Sequence, residues 1–564
     1  MSATRTATAT RRDIGPDGIS MFGPDFPFAY DNHVRHPAGI GRVPPDQHGR
    51  EVAVIGAGCA GLVTAFELMK LGLRPVVYEA DRLGGRMRSE RFAGHAGLVA
   101  ELGAMRFPES STTLFHYFDR CGLRTRPFPN PLTPASNSTV IDLKSRPVYA
   151  EGEEDLPPIY RKVLKAWDDL LENRAAFAAM QEAIRQRDVA AIKAIWNPQV
   201  KRLDDCTFYQ FLAHSTEFAS FRDREIFGQV GFGTGGWDTD FPNSMLEILR
   251  VAYTSADDNH RAVIGGVQQL PETLWQLAPS RDEMAHWPAG TSLALLHEGP
   301  PRPGVREIYR THPGNITLVD QSGAIRTYPA MVMSAQVWML LSQIRCDEAL
   351  FPADHWTAIE RTHYTQSSKT FVAVDRPFWQ DKDPRTGRDA MSTTLTDRMT
   401  RSTYLLGEGD DRPGVICLSY TWNDDALKWL PLSASQRMDV MLESLGEIYP
   451  GVNLRRHIIT DPITVSWELE PYFMGAFKAN LPGHYRYQHR LFTHFMQDRL
   501  PPGYQGVFLC GDDVSWTAGW AEGAVTTALN AVWGVMRHLG GETHPDNPGP
   551  GDVFDAIAPL ELDD

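Results

Sequence analysis

The sequence predicts an α/β fold: a Rossmann-like nucleotide-binding domain, a second domain built on a mixed sheet, and a helical insertion. Three observations predict this fold. A glycine-rich turn joins two apolar runs at 51–79, apolar residues recur at helical spacing between 156 and 250, and short apolar runs alternate with turn residues between 370 and 485. Strand–helix–strand units of the first kind build parallel sheets.

The order of these patterns divides the chain into segments. With 564 residues, the chain is long enough for two or three domains with separate cores. The predicted segments are an N-terminal arm (1–50), the first part of the nucleotide-binding domain (51–150), a helical domain (151–259), the second part (260–340), a substrate-binding domain (341–484), the third part (485–541) and a C-terminal tail (542–564). Residues 1–13 lack the apolar core of a signal peptide and are predicted to form a disordered leader.

Composition and charge exclude several classes of protein. Hydrophobic residues make up 42% of the chain, so it is not a disordered protein. A formal net charge of −15 argues against nucleic acid and anionic membrane surfaces as partners. No apolar run reaches the roughly 18 residues of a membrane span, and the six cysteines are scattered without metal-binding spacing. We therefore expect a cytoplasmic protein with reduced thiols and no metal site.

The turn after the first strand has the pattern Gly-x-Gly-x-x-Gly. Gly56 permits a tight turn, Gly58 lets the backbone approach a diphosphate, and Gly61 lets the helix pack closely on the strand. The start of that helix offers free N–H groups and a positive dipole end to the phosphates. Glu79 ends the second strand about 20 residues later, the spacing of an acid that binds ribose hydroxyls. Together these features predict a dinucleotide site; an ordinary glycine-rich turn is the alternative.

Two further motifs bear on which dinucleotide is bound. A second glycine pair ends at Gly85 and is followed by Arg86, whose guanidinium can give phosphate oxygens a fork of charge-assisted hydrogen bonds. Near the other end of the chain, an apolar strand runs into Gly511 and Asp512. The two ends of the chain are therefore predicted to build one cofactor site, which a simple NAD enzyme would not need.

Both motifs resemble the FAD-binding amine oxidase family. In that family the acid at the position of Asp512 binds the ribityl or phosphate region, and the helix that begins after Gly519 faces the flavin. The resemblance implies FAD rather than NAD, and the GR2-type fold of the flavin amine oxidases. The cofactor-binding residues that it predicts are Gly56, Gly58, Ala60, Gly61, Glu79, Ala80, Gly85, Arg86, Met105, Arg106, Val267, Gly511, Asp512, Gly519, Trp520 and Ala521.

The run Gly103-Ala104-Met105-Arg106 is similar to a motif of the L-amino acid oxidases and of the tryptophan and lysine oxidase/monooxygenases. In those enzymes the arginine binds the α-carboxylate of the substrate. A planar guanidinium matches a carboxylate with two parallel hydrogen bonds. Such a clamp would hold the Cα–H toward the flavin and orient the substrate. The alternatives for Arg106 are a phosphate ligand and a surface ion pair.

Two more residues match positions that have a role in these flavoenzymes. Tyr420 follows an apolar strand, as does the tyrosine whose hydroxyl gives the substrate carboxylate a second donor. Lys369 matches the lysine near flavin N5, where its charge would help oxygen to accept electrons. The resemblance thus makes Arg106 and Lys369 the predicted catalytic residues. A buried structural tyrosine and an exposed lysine at a strand end are the alternatives, although a lysine in an apolar strand is costly without a partner.

The resemblance also predicts the walls of the substrate site. Trp520 is expected over the flavin edge beside the substrate Cα, and Gly519 is expected to offer its carbonyl to the α-amine. Phe473 and Trp516 are candidates for the side-chain pocket. The alternative is that these aromatic side chains are ordinary core residues.

Three stretches resemble the bacterial lysine oxidase/monooxygenases more specifically: 21–28, 129–136 and 227–247. In those enzymes an acid in the last stretch binds the distal ammonium of the substrate, and Asp240 is its match here. A carboxylate in a mostly apolar pocket would favour a basic side chain and leave an unpaired charge with Leu or Phe. The alternative is that Asp238 or Asp240 caps the helix that follows.

These observations predict oxidative deamination of an L-amino acid, with Lys, Arg or Orn as expected substrates. The products would be a 2-oxo acid, ammonia and hydrogen peroxide. Oxidative decarboxylation to an amide, an aromatic or broad apolar specificity, and polyamine or monoamine oxidation are the alternatives. A desaturase-like oxidation and a non-enzymatic flavoprotein are less favoured. The expected partners are the amino acid and molecular oxygen, and the chain is expected to form a homodimer or a higher homo-oligomer.

Overall fold

The computed structural model of the protein describes residues 18–230, 238–312, 314–407 and 412–562, and of His312 the backbone alone. The predicted leader lies outside the described residues, and so does the part of the lysine-enzyme resemblance at 231–237. Within the described ranges, no helix combines the length and the apolar character needed to cross a bilayer.

The strands are short, from two to nine residues. Their bounds are β1 Glu51–Ile55, β2 Arg74–Glu79, β3 Ser89–Phe92, β4 His95–Glu101, β5 Phe107–Pro108, β6 Thr125–Pro127, β7 Thr139–Leu143, β8 Arg146–Ala150, β9 His260–Val263, β10 Arg302–Pro303, β11 Val305–His312, β12 Asn315–Asp320, β13 Ile325–Tyr328, β14 Met331–Met333, β15 Arg345–Cys346, β16 Tyr364–Thr365, β17 Ser367–Val374, β18 Thr393–Thr396, β19 Ser402–Leu406, β20 Gly414–Trp422, β21 Ile463–Ser466, β22 Phe477–Lys478 and β23 Val507–Leu509.

The α-helices follow one another without intervening strands between 158 and 253 and are interspersed with strands elsewhere. Their bounds are α1 Tyr30–Arg35, α2 Cys59–Lys70, α3 Thr112–Arg120, α4 Pro158–Ala175, α5 Phe177–Gln186, α6 Val189–Leu203, α7 Phe208–Ala213, α8 Phe221–Val230, α9 Met245–Tyr253, α10 Gln269–Gln276, α11 Leu293–His297, α12 Met339–Ser342, α13 Ala353–Arg361, α14 Asn423–Leu427, α15 Ala434–Ile448, α16 Leu454–His457, α17 Tyr485–Thr493, α18 Ala521–His538 and α19 Phe554–Ile557.

The nucleotide-binding part is built on a five-stranded sheet in the order β10–β2–β1–β14–β23, in which every neighbouring pair is parallel. Val52, Ala53 and Val54 of β1 have no exposed surface, as expected for a parallel strand that is covered on both faces. Helices α2 and α18 pack against each other beside this sheet. Strands from the beginning, the middle and the end of the chain therefore meet in one sheet.

A seven-stranded mixed sheet faces this nucleotide-binding part, in the order β21–β17–β20–β19–β18–β7–β8. The pair β18–β7 is parallel and the other pairs are antiparallel. Every residue of β17 is buried, so this strand lies in the interior of the molecule. β7 and β8 extend this sheet, although their residues fall in the segment 51–150 that the sequence assigned to the nucleotide-binding domain.

The helices α4 to α9 pack together, with Trp196 and Tyr253 meeting edge to face, and their buried side chains share one hydrophobic core with β1, α2 and α18. The first residues of α9 test the alternative that Asp238 or Asp240 caps this helix. Ser244 is the N-cap, and its hydroxyl accepts a hydrogen bond from the backbone N–H of Leu246. The alternative that Asp238 or Asp240 caps this helix is therefore wrong.

The N-terminal arm and the C-terminal tail pack on the body and on each other. Tyr30 donates to the side-chain oxygen of Asn530 on α18, at 2.8 Å. In the tail, the amide of Asn547 donates to the backbone carbonyl of His33 at 2.9 Å. Both ends of the described chain thus lie against the nucleotide-binding part.

Candidate active site

A continuous cavity of about 390 Å³ has walls from the parallel sheet, the mixed sheet and α9. It contains residues of both the predicted cofactor site and the predicted substrate site. The predicted residues that line it are Gly56, Gly58, Ala60, Glu79, Ala80, Gly85, Arg86, Met105, Arg106, Lys369, Tyr420, Phe473, Gly511, Asp512, Trp516, Gly519, Trp520 and Ala521. The cofactor candidates and the substrate candidates therefore share one space.

One end of the cavity lies at the carboxyl ends of β1 and β2. Gly56 has φ +101°, and a Cβ on it would lie 2.8 Å from Ser334 Oγ. A Cβ on Gly61 would lie 2.0 Å from the carbonyl oxygen of Gly56, so only glycine fits where α2 approaches the turn. Gly61 does not line the cavity, and its contribution is the close packing expected of the third glycine.

Backbone N–H groups hold the carboxylate of Glu79 at this end. Its Oε2 accepts from the N–H of Ala57 at 2.7 Å, and its Oε1 accepts from the N–H of Asp81 at 2.9 Å. Burial raises the pKa of Glu79, and these hydrogen bonds oppose the rise. Because each carboxylate oxygen has two lone pairs, Glu79 keeps the capacity to accept from ribose hydroxyls.

Arg86 and Asp512 meet in the middle of the cavity wall. Arg86 Nη2 lies 2.5 Å from Asp512 Oδ1, and Nη1 lies 3.1 Å from Oδ2 and 3.0 Å from the carbonyl oxygen of Ala476. The pair is bidentate, the geometry in which an arginine–carboxylate pair is strongest. The two motifs that were predicted from opposite ends of the chain to build one site are thus in direct contact.

The residues of this half fit a flavin dinucleotide. Glu79 supplies a partner for a ribose. The first turn of α2, which has no side-chain cap, supplies free N–H groups for a diphosphate, and Arg86 supplies a further donor for a phosphate oxygen. Gly58 and Gly85 lie side by side on the cavity wall, where a Cβ on Gly85 would lie 3.5 Å from the Cα of Gly58, and neither places a side chain in the way of a diphosphate. Another part of the cavity, here called the chamber, has aromatic walls that include Tyr420, Phe473, Phe477 and Trp520, which suits a flat ring system.

Arg106 lies at that chamber with only 9% of its surface exposed, so it is not a surface ion pair. Its Nη1 donates to the hydroxyl of Tyr404 at 2.9 Å. The rings of Phe128, Tyr404 and Tyr420 surround the guanidinium at 5.9, 5.6 and 5.5 Å, distances at which a cation is attracted to a ring face. Burial disfavours the charged form of Arg106, but its neighbours Tyr404, Tyr420 and Asp257 outweigh this effect and raise the pKa of Arg106. Asp257 also lines the cavity, and the Tyr404 hydroxyl is the acceptor that the guanidinium meets among the described residues. Arg106 can therefore offer its remaining N–H groups to an anionic ligand.

Lys369, on β17, is 3% exposed, so the alternative of an exposed lysine is wrong. Its Nζ donates to the carbonyl oxygen of Gly103 at 2.5 Å and to that of Glu101 at 3.1 Å. It also lies 4.7 Å from the centre of the Tyr420 ring. Burial lowers the pKa of Lys369 to about 8. The two carbonyls fix the position of a cation whose charge changes near neutral pH.

Aromatic side chains form the rest of the chamber. Trp520 lies 5.6 Å from the ring of His260, and Phe477 packs on Gly519, where a Cβ would lie 3.1 Å from the ring. On the other side, the rings of Trp467 and Phe473 meet edge to face at 5.0 Å. The chamber therefore offers flat apolar faces on several sides of any bound ring.

Besides Gly61, two of the predicted site residues do not line the cavity. Asp240 is exposed and stands outside the cavity lining. Nearby, the carboxylate of Asp238 pairs with Arg401 at 2.6 Å. Val267 is fully buried, and its N–H donates to Glu101 Oε1 at 2.8 Å. Val267 therefore supports the chain beside the cavity, while Val305 lines the cavity itself.

Sequence reasoning missed several residues of the site. Most of them stand outside any local motif, whereas Glu247 ends the stretch 227–247, in which the resemblance marked Asp240 instead. They are Tyr404, which holds Arg106, and the cavity-lining residues Glu247, Val305, Trp467, Phe477 and Lys478.

A family model described as flavin containing amine oxidoreductase matches residues 59–536. Tryptophan 2-monooxygenase of Pantoea agglomerans pv. gypsophilae is 31% identical over 556 residues, which cover 91% of this chain and 92% of that protein. An L-amino-acid oxidase of Siganus canaliculatus is 23% identical and covers 86% of this chain and 85% of its own length.

Among solved structures, putrescine oxidase bound to putrescine superposes with a TM-score of 0.64 at 20% identity. The match covers 86% of this chain and 99% of that one. A likeness at this level of identity shows a shared fold.

Proposed function

The chain belongs to the family of flavin-containing amine oxidoreductases, and from this premise we propose that it oxidises the α-carbon of an L-amino acid with a neutral, preferably aromatic, side chain. Family membership makes it an oxidoreductase, and the predicted FAD cofactor and flavin amine oxidase fold are confirmed. The observation that carries the proposal is the buried guanidinium of Arg106 at the aromatic chamber. An enzyme for simple amines has no anion for this group to bind.

In the proposed reaction, Arg106 binds the α-carboxylate. Tyr404 occupies one N–H of the guanidinium and fixes its plane, so the remaining donors face the ligand in one orientation. The Tyr420 hydroxyl supplies a further donor, because burial raises the pKa of Tyr420 and keeps its proton in place. A carboxylate held at these points directs the neighbouring Cα–H in one direction, which contributes orientation to the rate.

FAD supplies the acceptor for the hydride that leaves the α-carbon. The residues of the chain bind the amino acid, orient it and exclude water from the chamber during that step. The aromatic walls at Trp520 and Phe477 keep the chamber apolar, which strengthens the attraction between Arg106 and the carboxylate. Lys369 holds a proton at Nζ below a pH of about 8, at a site fixed by two backbone carbonyls. Its positive charge would favour electron transfer to oxygen.

An aromatic or neutral side chain is favoured over a basic one on two grounds. The tryptophan 2-monooxygenase named above is the relative with 31% identity. Asp240, the residue expected to bind a distal ammonium, is exposed and does not line the cavity. The basic specificity expected from the sequence lacks the contact on which it depended.

A second candidate outcome is 2-monooxygenation, favoured by the name of the same relative. An oxidase converts the amino acid, oxygen and water to a 2-oxo acid, ammonia and hydrogen peroxide. A monooxygenase converts the amino acid and oxygen to the amide one carbon shorter, carbon dioxide and water. Both outcomes begin with the same oxidation at the α-carbon.

The test is anaerobic mixing of the FAD-loaded protein with L-tryptophan, L-phenylalanine, L-lysine and putrescine. We expect bleaching of the flavin absorbance by the aromatic amino acids, and loss of that bleaching by about a thousandfold in Arg106→Met with the flavin still bound, since a carboxylate clamp orients the reaction. Bleaching by putrescine alone would contradict the proposal. Product mass after aerobic turnover separates the 2-oxo acid from the amide.

A further inference from the structure

Part of the cavity wall is polar and buried. We call it the distal branch and define it by Asn243, Glu247, Lys478 and Trp516, all of which line the cavity. Asn243 and Lys478 are each 2% exposed, and Trp516 is 6% exposed. The sequence analysis assigned no role to Asn243, Glu247 or Lys478, and the proposed reaction at Arg106 does not use them.

Arg250 and Asn480 link the members of the distal branch. The N–H of Ser244, the residue after Asn243, donates to the carbonyl oxygen of Asn480 at 2.9 Å. Glu247 Oε1 accepts from Asn480 Nδ2 at 2.7 Å and from Arg250 Nη1 at 2.6 Å. The Arg250 guanidinium in turn lies 4.9 Å from the centre of the Trp516 ring. Asn480 stands two residues after Lys478 on the same segment. The branch is therefore one connected wall.

Three polar atoms of this wall have no hydrogen-bond partner among the described residues: Lys478 Nζ, Trp516 Nε1 and Asn243 Oδ1. Two of them are donors and one is an acceptor. Buried polar atoms are almost always satisfied in folded proteins, because each orphan costs about 1–3 kcal/mol. Three such atoms on one cavity wall indicate a binding site for a polar ligand that would pair with them.

Charges of both signs surround the branch. Glu247 and Asp25 both pair with Arg250, and Lys478 adds a second positive charge. Burial lowers the pKa of Lys478 to about 8; of its charged neighbours, Glu247, Asp513 and Asp512 raise that pKa and Arg250 lowers it. A substrate ammonium would meet two cations here, and an additional carboxylate would meet Glu247. A neutral group that both donates and accepts fits the wall.

The branch lies at the right end of the cavity for the far end of a side chain. On α9 and its last turn, Glu247, Val251 and Thr254 line the cavity at intervals of four and three residues, which places them on one face. Seven residues of helix span about 10 Å. Ala256 follows at the chamber, and its carbonyl accepts from His260, the ring that packs on Trp520. A side chain that extends from the chamber along α9 points to the branch.

We propose that the distal branch binds a neutral hydroxyl or amide at the far end of the substrate side chain. The group accepts hydrogen bonds from Lys478 and Trp516 and donates one to Asn243 or Glu247. This inference rests on the proposed function and names the class of side chain that the same site takes.

The experiment compares L-tyrosine with L-phenylalanine, which differ only by the distal hydroxyl. Anaerobic flavin reduction gives the rate constant and the substrate dissociation constant for each. We expect their quotient to favour tyrosine by about tenfold or more in the wild type, since phenylalanine leaves buried donors unpaired. Lys478→Met and Trp516→Phe should each bring the two substrates to within about threefold of each other, because each removes one donor.

The matched control is Trp356→Phe. The indole N–H of Trp356 donates to the carbonyl oxygen of Glu348 away from the cavity, so the preference for tyrosine should be unchanged. A second measurement does not depend on turnover: titration with 4-hydroxyphenylacetate and phenylacetate, followed by the change in flavin absorbance. The hydroxylated acid should bind about tenfold more tightly to the wild type, and this advantage should be lost in Lys478→Met.

The outcomes separate the two proposals. Equal use of tyrosine and phenylalanine by the wild type, or a preference for tyrosine that survives in Lys478→Met, overturns the distal branch and leaves amino acid oxidation standing. Faster reduction by L-lysine than by tyrosine overturns it in the same way. Failure of every amino acid to reduce the flavin overturns the proposed function, and the distal branch with it.

Discussion

The guanidinium of Arg86 and the carboxylate of Asp512 form a two-bond ion pair, although the residues stand 426 positions apart in the chain. The pair lines the cavity between the glycine-rich turn and the aromatic chamber. The pair therefore connects the motif at Gly85 and Arg86 with the motif at Gly511 and Asp512, both of which are predicted to bind the cofactor.

Asp512→Asn is expected to weaken FAD binding. The asparagine keeps the shape but loses the charge that holds Arg86, and charge-assisted bonds of this kind are worth about 1.5–3 kcal/mol. We expect the dissociation constant for FAD to rise about tenfold or more, measured by titration of the apoprotein with FAD. Glu542→Gln is the matched control, because it removes the partner of Arg42 in a pair whose side chains are 57% and 79% exposed. An equal affinity in Asp512→Asn would remove this pair from the cofactor site.

Tyr404→Phe is expected to lower kcat/KM for the preferred amino acid by about tenfold, since the hydroxyl that fixes Arg106 is lost while the ring remains. The absorbance of the bound flavin should not change. Tyr449→Phe serves as control, because it removes a buried tyrosine hydroxyl, 2.7 Å from Thr394 Oγ1, and Tyr449 does not line the cavity. The prediction fails if both variants have the same kinetics.

The pH dependence of oxygen use should depend on Lys369. Burial lowers the pKa of Lys369 from 10.5 to about 8, so the cation is present below that pH and is lost as the pH rises through it. The rate at which the reduced enzyme consumes oxygen should fall above pH 8 in the wild type. In Lys369→Met that rate should be low and flat across the same range. A wild-type profile that is also flat would separate Lys369 from the oxygen reaction.

Asp240→Asn is expected to leave kcat/KM within about twofold of the wild type for L-lysine and for aromatic amino acids, because surface substitutions away from a site have small effects. Asp240 is exposed and outside the cavity lining. Steady-state peroxide or oxygen assays with both classes of substrate test this. A selective loss of activity on lysine would restore the role that the sequence assigned to Asp240.

Stability should respond to the pH through Glu522. Its carboxylate accepts from the N–H groups of Thr113 and Leu114 at the start of α3, and burial raises its pKa from 4.5 to about 7. The folded protein therefore holds a proton that the unfolded chain has lost, so this contribution is present below pH 4.5 and disappears as the pH rises through 7. Glu522→Gln should remove this part of the decline in Tm between about pH 5 and 7. Parallel Tm profiles would contradict the assignment.

The cofactor half of the site could be predicted from the sequence because its features are local. Gly56, Gly58 and Glu79 are set by backbone conformation and by spacing within one strand–helix–strand unit. Arg106 and Lys369 could be named because each stands in a short motif. The structure brings both of them to the chamber that the motifs implied.

The rest of the site depends on pairing between distant segments. Tyr404 reaches Arg106 because β19 pairs with β20 in a register that sets it opposite Cys417, and no spacing in the sequence encodes that register. Lys478 reaches the cavity through the pairing of β22 with β16, where it stands opposite Tyr364. Asp240 is exposed and lies outside the cavity lining, whereas Glu247, one turn into α9, lines the cavity.

The strand order of the parallel sheet has a consequence for how the protein is made. β1 is translated early, but its neighbour β14 comes from the middle of the chain, and β23 pairs with β14 only after residue 509 has been synthesised. A ribosome adds about 5–20 residues per second, so the nascent chain carries an incomplete nucleotide pocket throughout the synthesis of the residues between β1 and β23. Loading with flavin can therefore be completed only after Asp512 has been synthesised and meets Arg86.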